Sequence, residues 1–550
     1  MFKGHPKGLY VAFFSNMGER FGFYTMMAIL VMFLQAKFNL DASNAGFIYS
    51  VFYFSIYALA LLGGFIADKS QNYKGVINVG IIIMFVGYVI MAIPGLGLPF
   101  ALIGLFTIAL GNGLFKGNLQ ALVGQMYDAP EYSKLRDTAY SIFYMGINIG
   151  AAFAPNAARY IRTWYLETNG FKYDADLPGL CNQMINGTLA EANVGKLQAL
   201  ADFAKGTVVT DLSEFAKTYI NTFSIGYNYA FGIAAIAMLI SLATYIIFKR
   251  HLPDKRTQTA KEAGQIPQMS KAEEKKRIWS LILVFLVVIF FWMSFHQNGL
   301  TMTFFARDYT AKYVDSLTNV LFNIWSLIAV TGAIFGLVYL LKRNSTFKDR
   351  GLGAALLAGG GIIAYMFYKS FNQSNLVEPE TFQQFNALFV VALTPAVVSI
   401  FAKLRSKDIE PSTPKKIGIG MILAAFGFTV LLVGSLGLVS PAELAGQPSP
   451  GRVSPYWLIS TYFILTVAEL FLSPMGLSFV SKVAPPRFQG LMQGGWLGAT
   501  ALGNQLLWVG SSLWTKIDIW QVWLIFVVCC LISATFIFSI MKRLEQVTKQ

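Results

Sequence analysis

Asn16-Met17-Gly18-Glu19-Arg20-Phe21-Gly22-Phe23-Tyr24 lies inside an apolar run that extends from about residue 8 to 36. A helix of that length crosses the ~30 Å of hydrocarbon in a bilayer. Yet the run carries an acid and a base side by side. On a helix, Asn16, Glu19, Arg20, Phe23 and Tyr24 stand at i, i+3, i+4, i+7 and i+8, which is one face. A charged residue at mid-membrane costs about 2.5–3.5 kcal/mol on insertion scales. A polar stripe of this kind therefore lines a cavity, the plainer alternative being a buried Glu–Arg pair that only fixes packing.

The rest of the chain has the same character. Its 550 residues are 55% hydrophobic and 13% charged, with a mean hydropathy of +0.54; soluble domains carry roughly 25% charged residues. Apolar runs follow at about 44–67, 75–93, 98–125 and 137–161, then a polar stretch at 162–220, then about 221–248. A charged linker, 249–277, precedes runs at about 278–305, 314–342, 351–371, 382–404, 416–438, 455–482, 488–514 and 519–541. The reading is an all-α polytopic membrane protein with fourteen spans. Residues 1–161 and 221–248 form one six-helix bundle, and 278–342 with 416–541 form a second. The pair 351–404 is accessory and peripheral, and 162–220 is an extracytoplasmic insertion.

The linker holds nine Lys and Arg, from Lys249 to Arg277, against four acids. Basic residues also flank the loops on that same side, including Lys69, Lys74, Lys134, Arg136, Lys482 and Arg487. Both termini should then be cytoplasmic, in a plasma (bacterial inner) membrane. The net charge of +15 reads as loop bias and not as a nucleic-acid surface. The three cysteines and three histidines have no disulfide or metal-ligand spacing, so no metal or cofactor is expected. Nothing resembles an enzyme's catalytic constellation.

Two more charges lie inside apolar runs. Lys116 stands in Leu110-Gly111-Asn112-Gly113-Leu114-Phe115-Lys116-Gly117-Asn118, where glycines permit close backbone approach. Glu469 stands in Ala468-Glu469-Leu470-Phe471-Leu472-Ser473-Pro474-Met475-Gly476. Two acids and two bases divided between two halves suit a gated polar site, and a solute with an amine and a carboxylate would satisfy both signs. Two six-helix halves around a mid-membrane site are the layout of the major facilitator fold.

At these residues the chain resembles the proton-dependent oligopeptide transporter (POT/PTR) family of that superfamily. The family's E-x-x-E-R-F-x-Y-Y stands here as Asn16-x-x-Glu19-Arg20-Phe21-x-Phe23-Tyr24. Gly63-Gly64-Phe65-Ile66-Ala67-Asp68-Lys69 is similar to the facilitator loop motif, and Phe143-Tyr144-Met145-Gly146-Ile147-Asn148-Ile149-Gly150 to F-Y-x-x-I-N-x-G. Glu469, Ser473-Pro474-Met475-Gly476, Ala484-Pro485, Gly495-Trp496 and Gly503-Asn504 are similar to the later signature. The resemblance implies a monomeric carrier that imports di- and tripeptides with protons by alternating access. It implies Arg20 and Lys116 at the peptide carboxylate, and Asn319 and Glu469 at its amino end. Tyr24, Tyr57, Tyr144, Asn148, Trp292, Ser473 and Trp496 would line the pocket, with Lys116, Glu469 and Asp68 at the gates.

Four positions depart from the family. Asn16 replaces an acid and Phe23 a tyrosine. Met27 and His296 replace the basic and acidic partners of an ion pair that closes the outer side in some members. Losing both partners leaves no orphan charge. The expectation is an outer gate that closes without an ion pair, with His296 either a replacement titrating group or a neutral hydrogen-bonding residue. Proton coupling would fall to Glu19, Glu469 or His296, and weak or absent coupling stays open. A different small solute, an anion or a modified amino acid, is the rival reading on the same fold.

Overall fold

The computed structural model describes residues 4–127, 131–132, 135–253, 269–341, 346–444, 447–485 and 488–548, with backbone alone at 137, 473–478, 481, 489–490 and 548. The centre of the linker, with Lys255, Arg256 and Lys261, lies outside these residues. So does Arg487.

The first half contains α1 (Gly8–Phe38), α2 (Ala42–Ser70), α3 (Tyr73–Ala92), α4 (Leu98–Gln125) and α5 (Arg136–Thr168). Two short helices follow, α6 (Leu177–Ile185) and α7 (Glu191–Lys205), and then α8 (Leu212–Phe248). Caps set several starts: the Asp41 carboxylate accepts from the Asn44 amide ahead of α2, and Asp211 does the same for α8. In the second half come α9 (Lys271–Phe295), a 3-10 turn at His296–Gly299, α10 (Thr301–Asp308), β1 (Tyr313–Val314), α11 (Ser316–Asn319) and α12 (Ile324–Leu341). They are followed by α13 (Phe347–Ser370), β2 (Asn375–Leu376), a 3-10 turn at Pro379–Gln383 and α14 (Gln384–Arg405). The chain ends with α15 (Thr413–Gly434), α16 (Pro441–Leu444), α17 (Pro455–Val483), α18 (Gln489–Gln505), α19 (Trp508–Leu513), α20 (Ile519–Ser539) and α21 (Met541–Thr548). β1 and β2 pair antiparallel, Tyr313 opposite Leu376.

Twelve helices among the described residues are long and apolar enough to cross a bilayer. α5 and the α18–α19 pair are the remaining two of the fourteen expected spans, and both carry more polar residues. Alternation of direction puts both termini at one end of the bundle. The loops around α6, α7, β1 and β2 lie at the other, which we call the insertion end.

In the first half α1 packs on α5 and α8, α2 on α4, and α3 on α4 and α8. In the second, α15 packs on α17 and α20, and α9 on α18 and α20. Two seams join the halves, α2 with α18 and α5 with α14.

These contacts reassign the accessory pair. The expected pair was 351–404, with 314–342 in the core. Instead α12 packs along α13, where a Cβ on Gly336 would stand 2.5 Å from the Leu357 amide nitrogen. α14 is the helix that meets both α5 and α17. The peripheral hairpin is thus Ile324–Leu341 with Phe347–Ser370. Helix α12 also starts ten residues later than 314, because 313–319 forms β1 and the short α11. The insertion is narrower than 162–220 as well. α5 continues to Thr168 and α8 begins at Leu212, so 169–211 leaves the bundle and folds into α6 and α7.

Glycines fix the α2–α4 contact. A Cβ on Gly63 would overlap the Gly113 carbonyl, and one on Gly113 would stand 2.6 Å from the Leu59 carbonyl carbon. Gly113→Val is therefore expected to lower stability by about 1–3 kcal/mol. Gly351→Val, which meets nothing within 4 Å, should stay within about 0.5 kcal/mol. Thermal unfolding of the two variants in one detergent reads the difference.

Candidate functional site

The polar stripe of α1 turns inward. Arg20 donates through Nε and a terminal nitrogen to the two Glu19 carboxylate oxygens, at 2.5 and 2.6 Å, and both residues are buried. Asn112 of α4 donates to the same carboxylate at 2.5 Å. The Arg20 guanidinium also lies over the Phe23 ring, 4.6 Å from its centroid. Asn16 is buried, and its side-chain nitrogen has no hydrogen-bond partner among the described residues. One turn along α4 from Asn112, the Lys116 ammonium lies 4.1 Å from the centroid of the Tyr57 ring. The α2–α4 glycine contact brings that ring and that amine together. Lys116 is near enough to Arg20 and Glu19 to feel both charges.

The second half contributes Glu469 from α17. Asn386 of α14 donates to it at 3.0 Å and also to the Thr466 hydroxyl at 3.2 Å. Glu469 lies near Tyr24, Tyr57 and Tyr144 of the first half. Glu469 and Lys116 form no ion pair. Tyr144 is 44% exposed although it lies among these side chains, so it borders open space at the centre of the bundle. Asn148, one turn along α5, donates to the Tyr144 carbonyl at 3.0 Å. Trp496 is buried against Phe285. The side chain of Ser473 lies outside the described residues.

Asn319 is not beside Glu469. It ends α11 at the insertion end and borders a small cavity with Arg159, Asn323 and Glu378. The amide that meets Glu469 is Asn386. Assigning 382–404 to the accessory pair hides this amide from the site. A lone Asn three residues into α14 was nonetheless the same signal that marked Lys116 and Glu469. Asp68 stands at the opposite end, where the Tyr73 hydroxyl donates to its carboxylate.

His296 begins the 3-10 turn after α9 and is buried. Its Nδ1 meets the Asn504 side-chain oxygen at 2.5 Å, so it donates there. The ring stacks on Trp292 at 4.6 Å and tilts against Tyr53 of the first half at 4.6 Å. Met27 is buried in apolar packing. Among the described residues, no acid contacts either side chain.

The insertion end is nevertheless closed by ion pairs, contrary to the expectation for it. Arg162 of α5 pairs with Glu378 and, at 3.2 Å, with Glu380; Arg159 pairs with Glu378 at 3.2 Å. The Arg162, Glu378 and Glu380 side chains are 0%, 2% and 0% exposed. The Arg162 guanidinium also stacks over Tyr173 at 4.0 Å. Just below, Asn156 donates to Gln384 at 2.6 Å across the same seam. The bridging charges stand on α5 and at the entry of α14, and not at Met27 and His296. The signal was present: two arginines at i and i+3 closing one run, and Glu378-Pro379-Glu380 opening another.

A centre with bases from the first half and acids from both, closed at one end by buried ion pairs, can hold a two-signed solute and expose it to one side at a time. A model of the POT family matches residues 74–263 and 364–534, well over half of the chain. The peptide transporter YePEPT of Yersinia enterocolitica is 28% identical, over 92% of this chain and 87% of that protein. A di-/tripeptide transporter of Lactococcus lactis subsp. cremoris is 26% identical, over 92% and 89%. Among solved structures, peptide transporter POT in complex with sulfate superimposes with a TM-score of 0.68 at 22% identity, covering 100% of this chain and 97% of that one. A tetrameric PepTSo2 superimposes with a TM-score of 0.60 at 17% identity, covering 98% of each chain.

Proposed function

We propose, for a chain that belongs to the POT family, that it is a secondary active carrier importing di- and tripeptides by alternating access between its two halves. The observation that carries this reading is the central charge pattern. Among the described residues, Lys116 in the first half lacks an acidic partner in contact, and Glu469 in the second has the neutral Asn386 and no cation. A peptide's carboxylate and ammonium supply both missing counter-charges at once, joining the halves through the solute. Arg20 stays engaged with Glu19 and shapes the carboxylate end. A lone anion would leave Glu469 unsatisfied, which disfavours that rival.

We assign the coupled proton to Glu469. It faces the centre, and a proton or a substrate ammonium can neutralise it in turn. Glu19 is already held by Arg20 and Asn112. His296 is held by Asn504 between two rings, which supports the neutral hydrogen-bonding role. His296→Gln is accordingly expected to change the rate of uptake but leave its pH profile unshifted. Uptake measured across pH 5–8 reads this; a flattened profile would return the role to His296.

The basic bias of the loops supports the terminal end facing the cytoplasm and the insertion end facing outward, in the plasma membrane. One chain supplies both halves, so the single chain is the transporting unit. Uptake of labelled dialanine into proteoliposomes, with and without an imposed pH gradient, tests the whole reading. Uptake that ignores the gradient removes coupling; absent uptake with competition by another solute removes the peptide.

A further inference from the structure

The insertion 169–211 has no part in the central site, yet it reaches across to the other half. Its first segment is tied to the first half. Tyr173 lies over Arg162, and Asn182 donates to the Ala36 carbonyl of α1 at 3.0 Å. From there two carboxylates grip the second half. Lys312 meets Asp174 at 2.8 Å and Asp176 at 2.5 Å, and Arg452 meets Asp176 at 2.7 Å. The receiving side is firm. Arg452 also donates to the carbonyls of Arg307 and Thr310 at 2.8 and 2.9 Å, and 453 is hydrogen-bonded to 309 and 311. Beside these pairs a cleft of about 490 Å³ stays open between the halves, bordered by Gln35, Tyr173, Arg307 and Trp514. Across the same cleft Arg307 donates to the Gln35 side-chain oxygen at 2.7 Å.

We propose that the insertion is an electrostatic latch. It rides on the first half and holds the second shut through Asp174 and Asp176, as an outer layer above the Arg162–Glu378 lattice. Opening at this end then requires these pairs to part. The inference rests on the alternating-access reading. While paired these side chains are largely buried, with exposures of 5% to 16%. Once parted they stand in water, where salt screens the attraction that re-pairs them, the screening length falling from about 10 Å at 0.1 M to about 3 Å at 1 M.

Ser50 gives a readout that needs no substrate. It is buried on α2, where the seam with α18 closes at the insertion end, 3.5 Å from Gln505. Ser50→Cys, with Cys181, Cys529 and Cys530 changed to Ala, is labelled by a maleimide in nanodiscs. Asp176→Asn and Lys312→Ala are each expected to speed labelling about three- to tenfold, and Lys312→Glu more. About 1 M salt should speed the latch-intact protein toward the Asp176→Asn rate and act less on Asp176→Asn, which keeps the Lys312–Asp174 pair alone of the three. Equal labelling in all four proteins, or salt acting equally with and without Asp176, overturns the latch. Dialanine uptake by the latch-intact protein tests the carrier reading separately, so the two failures are distinguishable. A variant that misfolds is recognised by its thermal melt, and the salt arm on the latch-intact protein then decides alone.

Discussion

Glu469→Gln is expected to lower subsaturating uptake of dialanine by about 30- to 4,000-fold. Removing one member of a desolvated, hydrogen-bonded charge pair costs about 2–5 kcal/mol, and each 1.4 kcal/mol is tenfold in affinity. Gln keeps the size of the side chain and its contact with Asn386, so the loss reports charge and not shape. The same reasoning gives an internal control. N-acetyl-dialanine has no ammonium to offer. It should be a poor substrate for the unaltered protein and scarcely worse for the variant, so the free-to-blocked ratio collapses toward unity. Counterflow separates the two roles given to Glu469, because exchange of peptide for peptide needs no net proton movement. If Glu469 carried only the proton, counterflow would survive in Glu469→Gln. If it holds the ammonium as well, counterflow falls with uptake. Unchanged discrimination between free and blocked peptide would remove Glu469 from the amino end.

The charges that matter at the centre were legible because hydrocarbon makes them conspicuous. Glu19, Arg20, Lys116 and Glu469 each interrupt an apolar run, and all four turn inward. Which run each belongs beside was not legible. α12 and α14 are both long and apolar enough to cross a membrane. Composition shows what a helix can be immersed in and not what it packs against. The difference lies in small features: the Gly336, Gly353 and Gly360 approach that joins α12 to α13, and the Gln384 and Asn386 amides that join α14 to α5 and α17. Misplacing α14 had a direct consequence, since it sent the amino-end role to Asn319. The insertion-end lattice was missed for a related reason. Arg162 and Glu378 are 216 positions apart, and no local period links them. The absence of an ion pair at Met27 and His296 carries no information about α5 and the entry of α14, where Arg162, Glu378 and Glu380 form the buried pairs.

Arg162→Ala should be the most disruptive single change at the insertion end. It leaves Glu378 and Glu380 buried with their principal counter-charge gone, and Arg159 meets only Glu378. Breaking a buried pair from one side costs about 3–5 kcal/mol, because the remaining charge stays desolvated. Relief comes by parting α5 from the entry of α14, which is the motion that opens this end. The expected outcome is a lower melting temperature together with Ser50→Cys labelling at least as fast as in the latch variants, and loss of concentrative uptake. A second set of substitutions separates charge from shape. In Arg162→Met/Glu378→Gln/Glu380→Gln no ionised group remains among the three, and Arg159, which loses Glu378 but is 25% exposed, should turn to water. Replacing a buried ionic cluster by neutral groups of similar volume is often neutral or stabilising, so the triple variant should regain most of the lost stability. It should then stay closed for longer than the unaltered protein, with slower labelling and a lower maximal uptake rate. That inversion, a single neutralisation that opens the end and a complete one that closes it, follows from desolvation of unpaired carboxylates and has no counterpart if the arginine acts only by filling space. A triple variant as unstable as Arg162→Ala would show that the lattice is held by packing around Tyr173 instead of by its charges.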